Sequence, residues 1–424
     1  MMTGFRHRGR NGFGWSRRTG RLGLHGLLAV MALALVLTSD IFGCERCAMA
    51  ADPLALDSKA QLGRLLFHDP SLSSPPGQAC ASCHAPHAGF SDPDPRAPTS
   101  KGATPTLFGK RNAPSAAYAK FSPAFHFDAE EKHYVGGQFV DGRASSLELQ
   151  AIQPFFDPLE MANAGPADLI SKLRASAYAP MFSAAFGPGV LQDQQRALIS
   201  VGEALAAFER SAVFSPFSSK FDAWRRGEVA LSAQELRGLD IFNSPQKGNC
   251  AACHPSEPSK DGTPALFTDF TYDNLGVPRN PANSFYTMHP THNPAGRDFV
   301  DLGLGARPDL PTDPGDEQGK FKVPTMRNVA VTAPYMHNGY FADLRSVLQF
   351  YNDRDVRPRC KNAKWTSLPD AQKQVCWPEP EVARNVNAEE LGKLGLSDAE
   401  LDDLLAFLHT LTDGFSKTGS ARGR

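Results

Sequence analysis

The chain has 424 residues, with 44 basic and 45 acidic side chains and a formal net charge of −1 at pH 7. This balance argues against a nucleic-acid-binding protein, which carries a basic surface. The length predicts two domains rather than one. Pro and Gly are frequent, with 34 and 36 residues, so we expect elements joined by long loops.

The first 50 residues have the pattern of an export signal. A region with six arginines ends at Arg21, an apolar run extends from Leu22 to Leu37, and Ala48-Met49-Ala50 fits a cleavage site. We therefore predict a cleaved signal over residues 1–50 and no stable membrane span after cleavage. A permanent membrane anchor is the alternative, and Cys44 leaves a lipoprotein open.

Helical periodicity is the main secondary-structure signal, so the predicted fold class is mainly α. No stretch alternates polar and apolar residues for long enough to predict a large sheet. Capping boxes that pair Ser232 with Glu235 and Ser397 with Glu400 predict where two helices begin. The predicted helices are 58–67, 144–152, 167–175, 193–211, 232–243, 343–351 and 397–412.

Two copies of the signature Cys-x-x-Cys-His lie 170 residues apart. In a c-type haem the two thiols add to the vinyl groups and the histidine supplies an axial nitrogen to the iron. A split zinc site is the alternative, but zinc ribbons need no histidine directly after the second Cys of both pairs. The sequence therefore predicts two haems c, one at Cys80, Cys83 and His84 and one at Cys250, Cys253 and His254.

A similar helix precedes each signature, at Leu62–Phe67 and Leu236–Phe242, which indicates an internal duplication. We predict two helical haem domains with long loops and little β structure, over residues 51–220 and 221–415, and a disordered tail over 416–424. Because c-type haem is attached outside the cytoplasm, the predicted location is the periplasm.

Two cysteines remain after the haem signatures and the leader are set aside. Cys44 and Cys47 leave with the signal, and four of the eight cysteines hold haem. In an oxidising compartment we expect Cys360 and Cys376 to form a disulfide. A pair of free thiols is the alternative.

Nearly all of the mature length resembles the bacterial diheme cytochrome c peroxidase and MauG superfamily. The resemblance implies two cytochrome c-like domains, of which the first is peroxidatic and the second transfers electrons, with a calcium ion between the haems. The matching stretches are Leu62–Asp69, Cys80–His84, Lys110–Asn112, Asp141–Ala144, Gln150, Pro154, Glu160, Met161, Cys250–His254 and Phe321–Gly339.

The resemblance makes His84 the proximal ligand of the haem that reacts with peroxide. Glu160 matches the distal acid–base residue, and Gln150 and Pro154 match residues that line the same pocket. Conventional peroxidases block this haem at rest with a histidine from the following loop. Here that loop, 85–111, holds only His87, three residues past His84, so we predict an open first haem, as in MauG-type members.

The second haem shows a further difference within the superfamily. Conventional members place a methionine ligand fourteen residues past the position of His337, and MauG-type members place a tyrosine there. This chain has Tyr351, on the apolar face of a predicted helix, so Tyr351 is the predicted iron ligand. Met336 and Met326 are the alternatives.

Other positions bear on electron transfer through tryptophan side chains and on calcium binding. The family usually has Trp just before Asp-Gly-Arg, between the haems, but this chain has Val140. MauG has a surface Trp two residues before the second signature, where this chain has Gly248. The predicted calcium ligands are the Asn112 side chain and the carbonyls of Thr332 and Pro334, an oxygen-only set that suits Ca²⁺.

The resulting hypothesis is a periplasmic diheme peroxidase of MauG type. It would use hydrogen peroxide to oxidise either a small periplasmic cytochrome or cupredoxin, or a protein substrate at Trp or Tyr. A conventional cytochrome c peroxidase that detoxifies peroxide and a non-enzymatic diheme electron-transfer cytochrome are the alternatives. A zinc-binding structural protein is a weaker one.

Overall fold

The computed structural model of the protein describes residues 56–310, 314–360 and 375–416. The predicted signal over residues 1–50 lies outside these ranges, as do residues 417–424 of the predicted tail. Within the described ranges, no helix combines the length and the apolar character needed to cross a membrane.

Helices dominate the described chain, as the sequence predicts. Ser232 and Ser397 form the predicted capping boxes with Glu235 and Glu400, so two helix starts are confirmed. The α-helices are α1 (Ser58–His68), α2 (Cys80–Cys83), α3 (Leu147–Ala151), α4 (Pro166–Ala175), α5 (Ala179–Phe186), α6 (Gln194–Glu209), α7 (Lys220–Arg225), α8 (Ala233–Asn243), α9 (Leu344–Asp353) and α10 (Asp398–His409).

Three helices were not predicted: α2, α5 and α7. Helix α2 is a four-residue helix within the first haem signature. Helix α5 begins after Tyr178 with no side-chain cap and buries only Phe182 completely, so its start and its periodicity are both weak signals. Helix α7 spans six residues, although Ser219 and Asp222 form a capping box at its start. Six residues are too few for an apolar stripe to be recognised.

The helices before the two signatures pack in the same way. Gly63 of α1 faces α6, and a Cβ atom there would overlap the Ala204 carbonyl. Gly238 of α8 faces α10 in the same manner, and a Cβ atom there would overlap the carbonyl of Asp403. Glycine is needed at both positions because the two backbones approach closely. The duplication read from the sequence is thus visible in the helix packing.

Strands are few among the described residues, in agreement with the mainly α prediction. Strands β1 (His126–Asp128) and β2 (His133–Val135) form one antiparallel pair. Strands β3 (Tyr272–Asp273) and β4 (Phe321–Lys322) form another, with Tyr272 opposite Lys322. Neither sheet is large enough to organise a core.

Two main hydrophobic cores correspond to the two signatures. One is built almost wholly from residues up to 214, and the other from residues 221–411. We call residues 56–220 the first half and the described residues of 221–416 the second half. The cores do not separate the chain into independent bodies, because the described residues fall within one compact unit. The boundary at 220/221 therefore stays a prediction.

The contacts between the halves include a partly buried cluster around Asp413. Both carboxylate oxygens of Asp413 accept from the Tyr118 hydroxyl group, at 3.0 and 2.9 Å. The Ser218 amide donates to the same carboxylate at 2.9 Å. Buried charged and polar groups that satisfy one another in this way hold two segments in a defined relation.

The C-terminal loop is closed by a covalent bond. The sulfur atoms of Cys360 and Cys376 lie 2.00 Å apart, and the two residues are separated by 16 positions. Backbone bonds join the two strands of chain beside the disulfide: the Cys360 amide donates to the Trp377 carbonyl at 2.9 Å, and the Trp377 amide donates to the Pro358 carbonyl at 3.1 Å.

Candidate haem sites

The first signature forms a short helix that presents both thiols and the histidine together. The His84 amide bonds back to the Cys80 carbonyl at 2.9 Å, and the His84 Nδ1 donates to the Phe90 carbonyl at 3.1 Å. Burial lowers the pKa of His84, so the imidazole is neutral at pH 7. With Nδ1 engaged, Nε2 is the nitrogen that can bind iron.

The second signature repeats this arrangement. The His254 amide bonds to the Cys250 carbonyl at 2.9 Å, and the His254 Nδ1 donates to the Phe267 carbonyl at 2.7 Å. Burial lowers the pKa of His254 to about 4. A neutral imidazole oriented by a backbone carbonyl suits an axial haem ligand in both halves.

The cysteines favour haem over zinc. Among the described residues, the sole cluster of potential metal ligands joins Cys253 with Asp273 and Glu390 and contains neither cysteine of the first signature. A four-cysteine zinc site is thus excluded there.

The second signature opens into a large apolar cavity that suits a flat ring. Cys250, Cys253 and His254 form one part of its wall. Much of the rest comes from leucine, valine and phenylalanine side chains of the second half. The fit is chemical as well as spatial, because a haem needs thiols and an imidazole at one edge of an apolar slot.

Tyr351 lies on the wall of this cavity, on the face of α9 that the sequence predicts. Leu344, Val347 and Leu348 share that face and the same wall. Burial raises the pKa of Tyr351, as do the nearby Cys253 and Cys250 thiols. The Arg354 guanidinium opposes that rise. The structure thus brings Tyr351 to the second signature, and the cavity wall also includes Met326 and Met336.

Glu160 lies beside the first signature, although 76 positions separate it from His84 in the sequence. A turn closed by the Met161 amide on the Pro154 carbonyl at 3.1 Å positions it. Burial is the main cause that raises the pKa of Cys80 and Cys83, and the Glu160 carboxylate adds to the rise, so Glu160 lies within electrostatic reach of both thiols.

The surroundings of Glu160 hold the pKa of its carboxyl group close to neutral pH. Burial and the neighbouring Asp157 raise the pKa of Glu160 to about 7, against the opposing charges of Arg143 and Lys110. A carboxyl group with such a pKa can accept and donate a proton at neutral pH. This is the behaviour expected of an acid–base residue.

Gln150 and Pro154 lie on the segment that leads to Glu160. Gln150 is in the last turn of α3, and its carbonyl accepts from the Gln153 amide at 3.1 Å. Both side chains are half-buried. The loop 85–111 packs on the same segment, since the Ala103 amide donates to the Glu160 carbonyl at 2.7 Å. Within that loop, His87 lies exposed on a turn.

A buried ion cluster lies between the two sites, and sequence reasoning missed its main partner. Arg111 binds Asp141 at 2.6 Å and both oxygens of Asp301 at 2.6 and 2.7 Å. Burial opposes the ionisation of Asp141, but Arg111 and Arg143 hold its pKa below the usual range. No local pattern marks Asp301, because 190 positions separate it from Arg111.

Val140 lines the large cavity beside Lys322, where the family usually has a tryptophan. The Lys322 amide donates to the Val140 carbonyl at 2.8 Å. Burial lowers the pKa of Lys322 to about 8, and its ammonium group donates to the Gly137 carbonyl at 2.5 Å. Val140 and the neighbouring Lys322 therefore occupy this region, and neither side chain is readily oxidised.

The three predicted calcium ligands lie on the same cavity wall. Asn112, Thr332 and Pro334 all line it. The Asn112 Nδ2 donates to the Pro98 carbonyl at 3.2 Å, and the Asn112 amide donates to the His337 carbonyl at 2.8 Å. The side-chain oxygen of Asn112 is therefore the atom left to bind a cation. Such neutral oxygens suit a hard cation such as Ca²⁺.

Comparisons with known proteins agree with this geometry. A family model described as di-haem cytochrome c peroxidase matches residues 57–230. The chain is 44% identical over 363 residues to the methylamine utilization protein MauG of Paracoccus denitrificans, covering 84% of this chain and 89% of the relative. It is 31% identical over 369 residues to the protein of the same name from Methylophilus methylotrophus, covering 87% and 86%.

A solved structure also matches. The diheme peroxidase BthA from Burkholderia thailandensis aligns with a TM-score of 0.70 and 37% identity, covering 86% of this chain and 89% of that one. Two repeated haem signatures, each with its oriented histidine, are thus found in a chain whose length and fold follow those of diheme peroxidases. The chain belongs to the di-haem cytochrome c peroxidase and MauG family, and is a peroxidase oxidoreductase with two haems c.

Proposed function

We propose that the protein is a periplasmic peroxidase of MauG type, which reduces hydrogen peroxide at an open first haem and takes the electrons from another protein. The observation that carries this proposal is the position of Glu160 beside the first signature, with a pKa raised to about 7. The exposure of His87, the one histidine of the loop 85–111, supports an open distal side.

In this proposal Glu160 moves the protons of the reaction. The haem bound at His84 supplies the iron that binds peroxide and accepts its oxidising equivalents. The Glu160 carboxylate takes a proton from the bound oxygen and returns it to the oxygen that leaves as water. Gln150 and Pro154 hold the segment that carries Glu160, and the neutral imidazole of His84 would supply a nitrogen ligand to the haem iron.

Tyr351 is the proposed sixth ligand of the second haem. A phenolate is a hard anionic donor that stabilises ferric iron and lowers the reduction potential relative to methionine. Burial raises the pKa of Tyr351 and so opposes the phenolate, and the positive charge of the fully buried Arg354 offsets part of that rise. A second site of this kind suits the storage of oxidising equivalents better than electron uptake at high potential.

A calcium ion is the proposed link between the haem sites, bound by the Asn112 side chain and the carbonyls of Thr332 and Pro334. Support comes from their common cavity wall and from their oxygen-only chemistry. Two covalent haems also imply export, because the haem is attached outside the cytoplasm, and this supports the periplasmic location.

The electron source is proposed to be a protein. It is either a small cytochrome or cupredoxin, or a substrate whose Trp or Tyr side chain is oxidised. The second possibility is supported by 44% identity to a methylamine utilization protein. In either case two one-electron transfers are needed for each peroxide reduced.

The test is to add hydrogen peroxide to the fully oxidised protein and to record the EPR spectrum at rest. We expect one high-spin and one low-spin ferric signal, and an absorption change that requires no prior reduction. A reaction that starts only after one electron is added would refute the open first haem and would leave a conventional cytochrome c peroxidase.

A pair of variants tests the second ligand. Tyr351→Phe removes the phenol oxygen and should shift the low-spin EPR signal or convert it to a high-spin signal. Met336→Leu, on the same cavity wall, should leave the low-spin signal unchanged. The reverse result would make Met336 the ligand.

A further inference from the structure

Two tryptophans lie within the described residues, and their surroundings differ. Trp377 is 3% exposed, and its indole N–H donates to Asp353 at 2.8 Å. Trp224 lies on α7, half-buried at the rim of the second core. Trp224 is therefore the described indole that reaches both the core around the second haem site and the solvent.

A continuous line of contacts joins Trp224 to the axial histidine of the second site. The Trp224 ring lies 5.5 Å from the Phe221 ring, between centroids, and the Phe221 ring lies 5.1 Å from that of Phe267. The carbonyl group of Phe267 accepts the hydrogen bond from the His254 Nδ1 at 2.7 Å. Two rings and one peptide thus separate the indole from the imidazole.

This line is held rigidly at both ends. The Arg327 side chain is buried and binds both oxygens of Asp222 at 2.9 Å each, which fixes α7. The same guanidinium donates to the Ala265 carbonyl at 2.8 Å, two residues before Phe267. The Trp224 helix and the loop that orients His254 are therefore fixed to one side chain.

We propose that Trp224 is the relay residue through which oxidising equivalents leave the second haem site toward the protein donor, a proposal that rests on the proposed function. Indole is the most easily oxidised ring that the described chain places on this path. Phenyl groups are not oxidised themselves, and they supply packed, water-free contact between the indole and His254.

The electrons and protons balance with hydrogen peroxide as the oxidant. One peroxide accepts two electrons and two protons and leaves as two waters. Trp224 supplies each electron in a separate step and releases its indole N–H proton to solvent. The donor then returns an electron, with a proton from solvent, so that Trp224 is regenerated after every transfer.

The charges near Trp224 do not oppose the oxidation of its indole ring. The guanidinium of the adjacent Arg225 lies 5.9 Å from the indole centroid. It is paired with Glu257 at 2.8 Å. The pair is neutral overall, so no uncompensated positive charge disfavours the oxidised indole.

The first experiment locates the oxidised side chain. One equivalent of hydrogen peroxide is added to the diheme protein without a donor, in the presence of a nitroso spin trap, and the peptides are mapped by mass spectrometry. We expect adducts and oxygenation at Trp224 but not at Trp377, and none when cyanide blocks the open haem. Consumption of peroxide with Trp224 left unmodified would overturn the relay alone.

The second experiment tests the path with matched variants. Trp224→Phe keeps the packing but is not oxidised, and Trp224→Tyr keeps an oxidisable ring. With reduced monohaem cytochrome c as the probe donor, we expect turnover to fall severalfold in Trp224→Phe and to recover in part in Trp224→Tyr. The absorption change caused by peroxide should stay unchanged in both.

The two proposals fail in different ways. If the wild-type protein does not react with peroxide, the proposed function and the relay fall together. If it reacts and turns over, and Trp224→Phe equals wild type in turnover and in the pattern of modified peptides, the relay is wrong and the proposed function stands. Thermal melting of each variant shows whether the fold is intact.

Discussion

The first and second halves share a scaffold but differ in what it presents to the haem. In both, a glycine lets the helix before the signature cross its partner closely, and a loop carbonyl orients the histidine. The first half adds Glu160 beside the signature, and the second adds Tyr351 on a cavity wall. The repeated part thus carries the attachment signatures, and we propose that the unrepeated part sets the reactivity of each haem.

The largest expected effect is on the rate of the reaction with peroxide, which depends on the first half alone. Glu160→Gln should slow the reaction with peroxide by about 10²–10⁴-fold, because a positioned proton acceptor is lost. In the wild-type protein the rate should rise with pH through about 7, as burial and Asp157 hold the pKa of Glu160 there and the carboxylate is the reactive form above it. Stopped-flow absorption across pH measures both effects.

The control for that experiment is Asp157→Asn. It removes a charge that raises the pKa of Glu160, so the midpoint of the pH profile should move to lower pH with little loss of maximum rate. The EPR spectrum at rest should stay the same in both variants. An unaffected rate in Glu160→Gln would remove this residue from the mechanism.

The next effect concerns the buried pair that anchors the second half. Asp222→Ala leaves the guanidinium of Arg327 buried without its carboxylate, which costs about 3–5 kcal/mol. The double variant Asp222→Ala with Arg327→Met should lose less, because no unpaired charge remains. Thermal unfolding followed by circular dichroism checks both, and a double variant less stable than the single one would contradict the explanation.

The disulfide is found in the second half and should affect only that half. Replacing Cys360 and Cys376 by serine opens a loop with a sequence separation of 16, for which about 3 kcal/mol of stabilisation is expected. We expect a lower unfolding temperature and a broadened low-spin EPR signal, with the high-spin signal unchanged. A change confined to the high-spin signal would contradict this assignment.

The smallest effects test the shared scaffold. Gly63→Ala and Gly238→Ala each force a methyl group against the backbone of the facing helix, at a cost of about 1–3 kcal/mol. Gly165→Ala, where the added Cβ atom meets nothing within 4 Å, is the control and should be nearly neutral. Similar losses of stability at Gly63 and Gly238 would support the duplication, whereas a loss at only one position would contradict equivalent packing of the two helix pairs.

Much of the fold and the attachment sites could be predicted because their signals are local. The haem signatures lie within five residues, and the capping boxes at Ser232 and Ser397 mark two helix starts. Helices α2, α5 and α7 escaped prediction because each is short and shows little periodicity. The boundary between the predicted domains has no local signal and remains a prediction.

The buried ion pairs could not be predicted, because their partners are far apart in sequence. Arg111 and Asp301 are separated by 190 positions, and Arg327 and Asp222 by 105. No pattern in a single sequence joins such residues, because packing of the whole chain brings them together. The roles of Glu160 and Tyr351 came from resemblance to the family, and the structure adds only that each lies beside its signature.

The two helix crossings also have a consequence for the order in which the two halves can fold during synthesis. Helix α1 meets its partner α6 by residue 209, so the first pair can close while the remainder is still being synthesised. Helix α8 meets its partner only at residues 398–409, near the end of the chain. Because Leu401, Leu404 and Leu408 of α10 line the second cavity, we expect that cavity to stay unclosed until this helix has been synthesised.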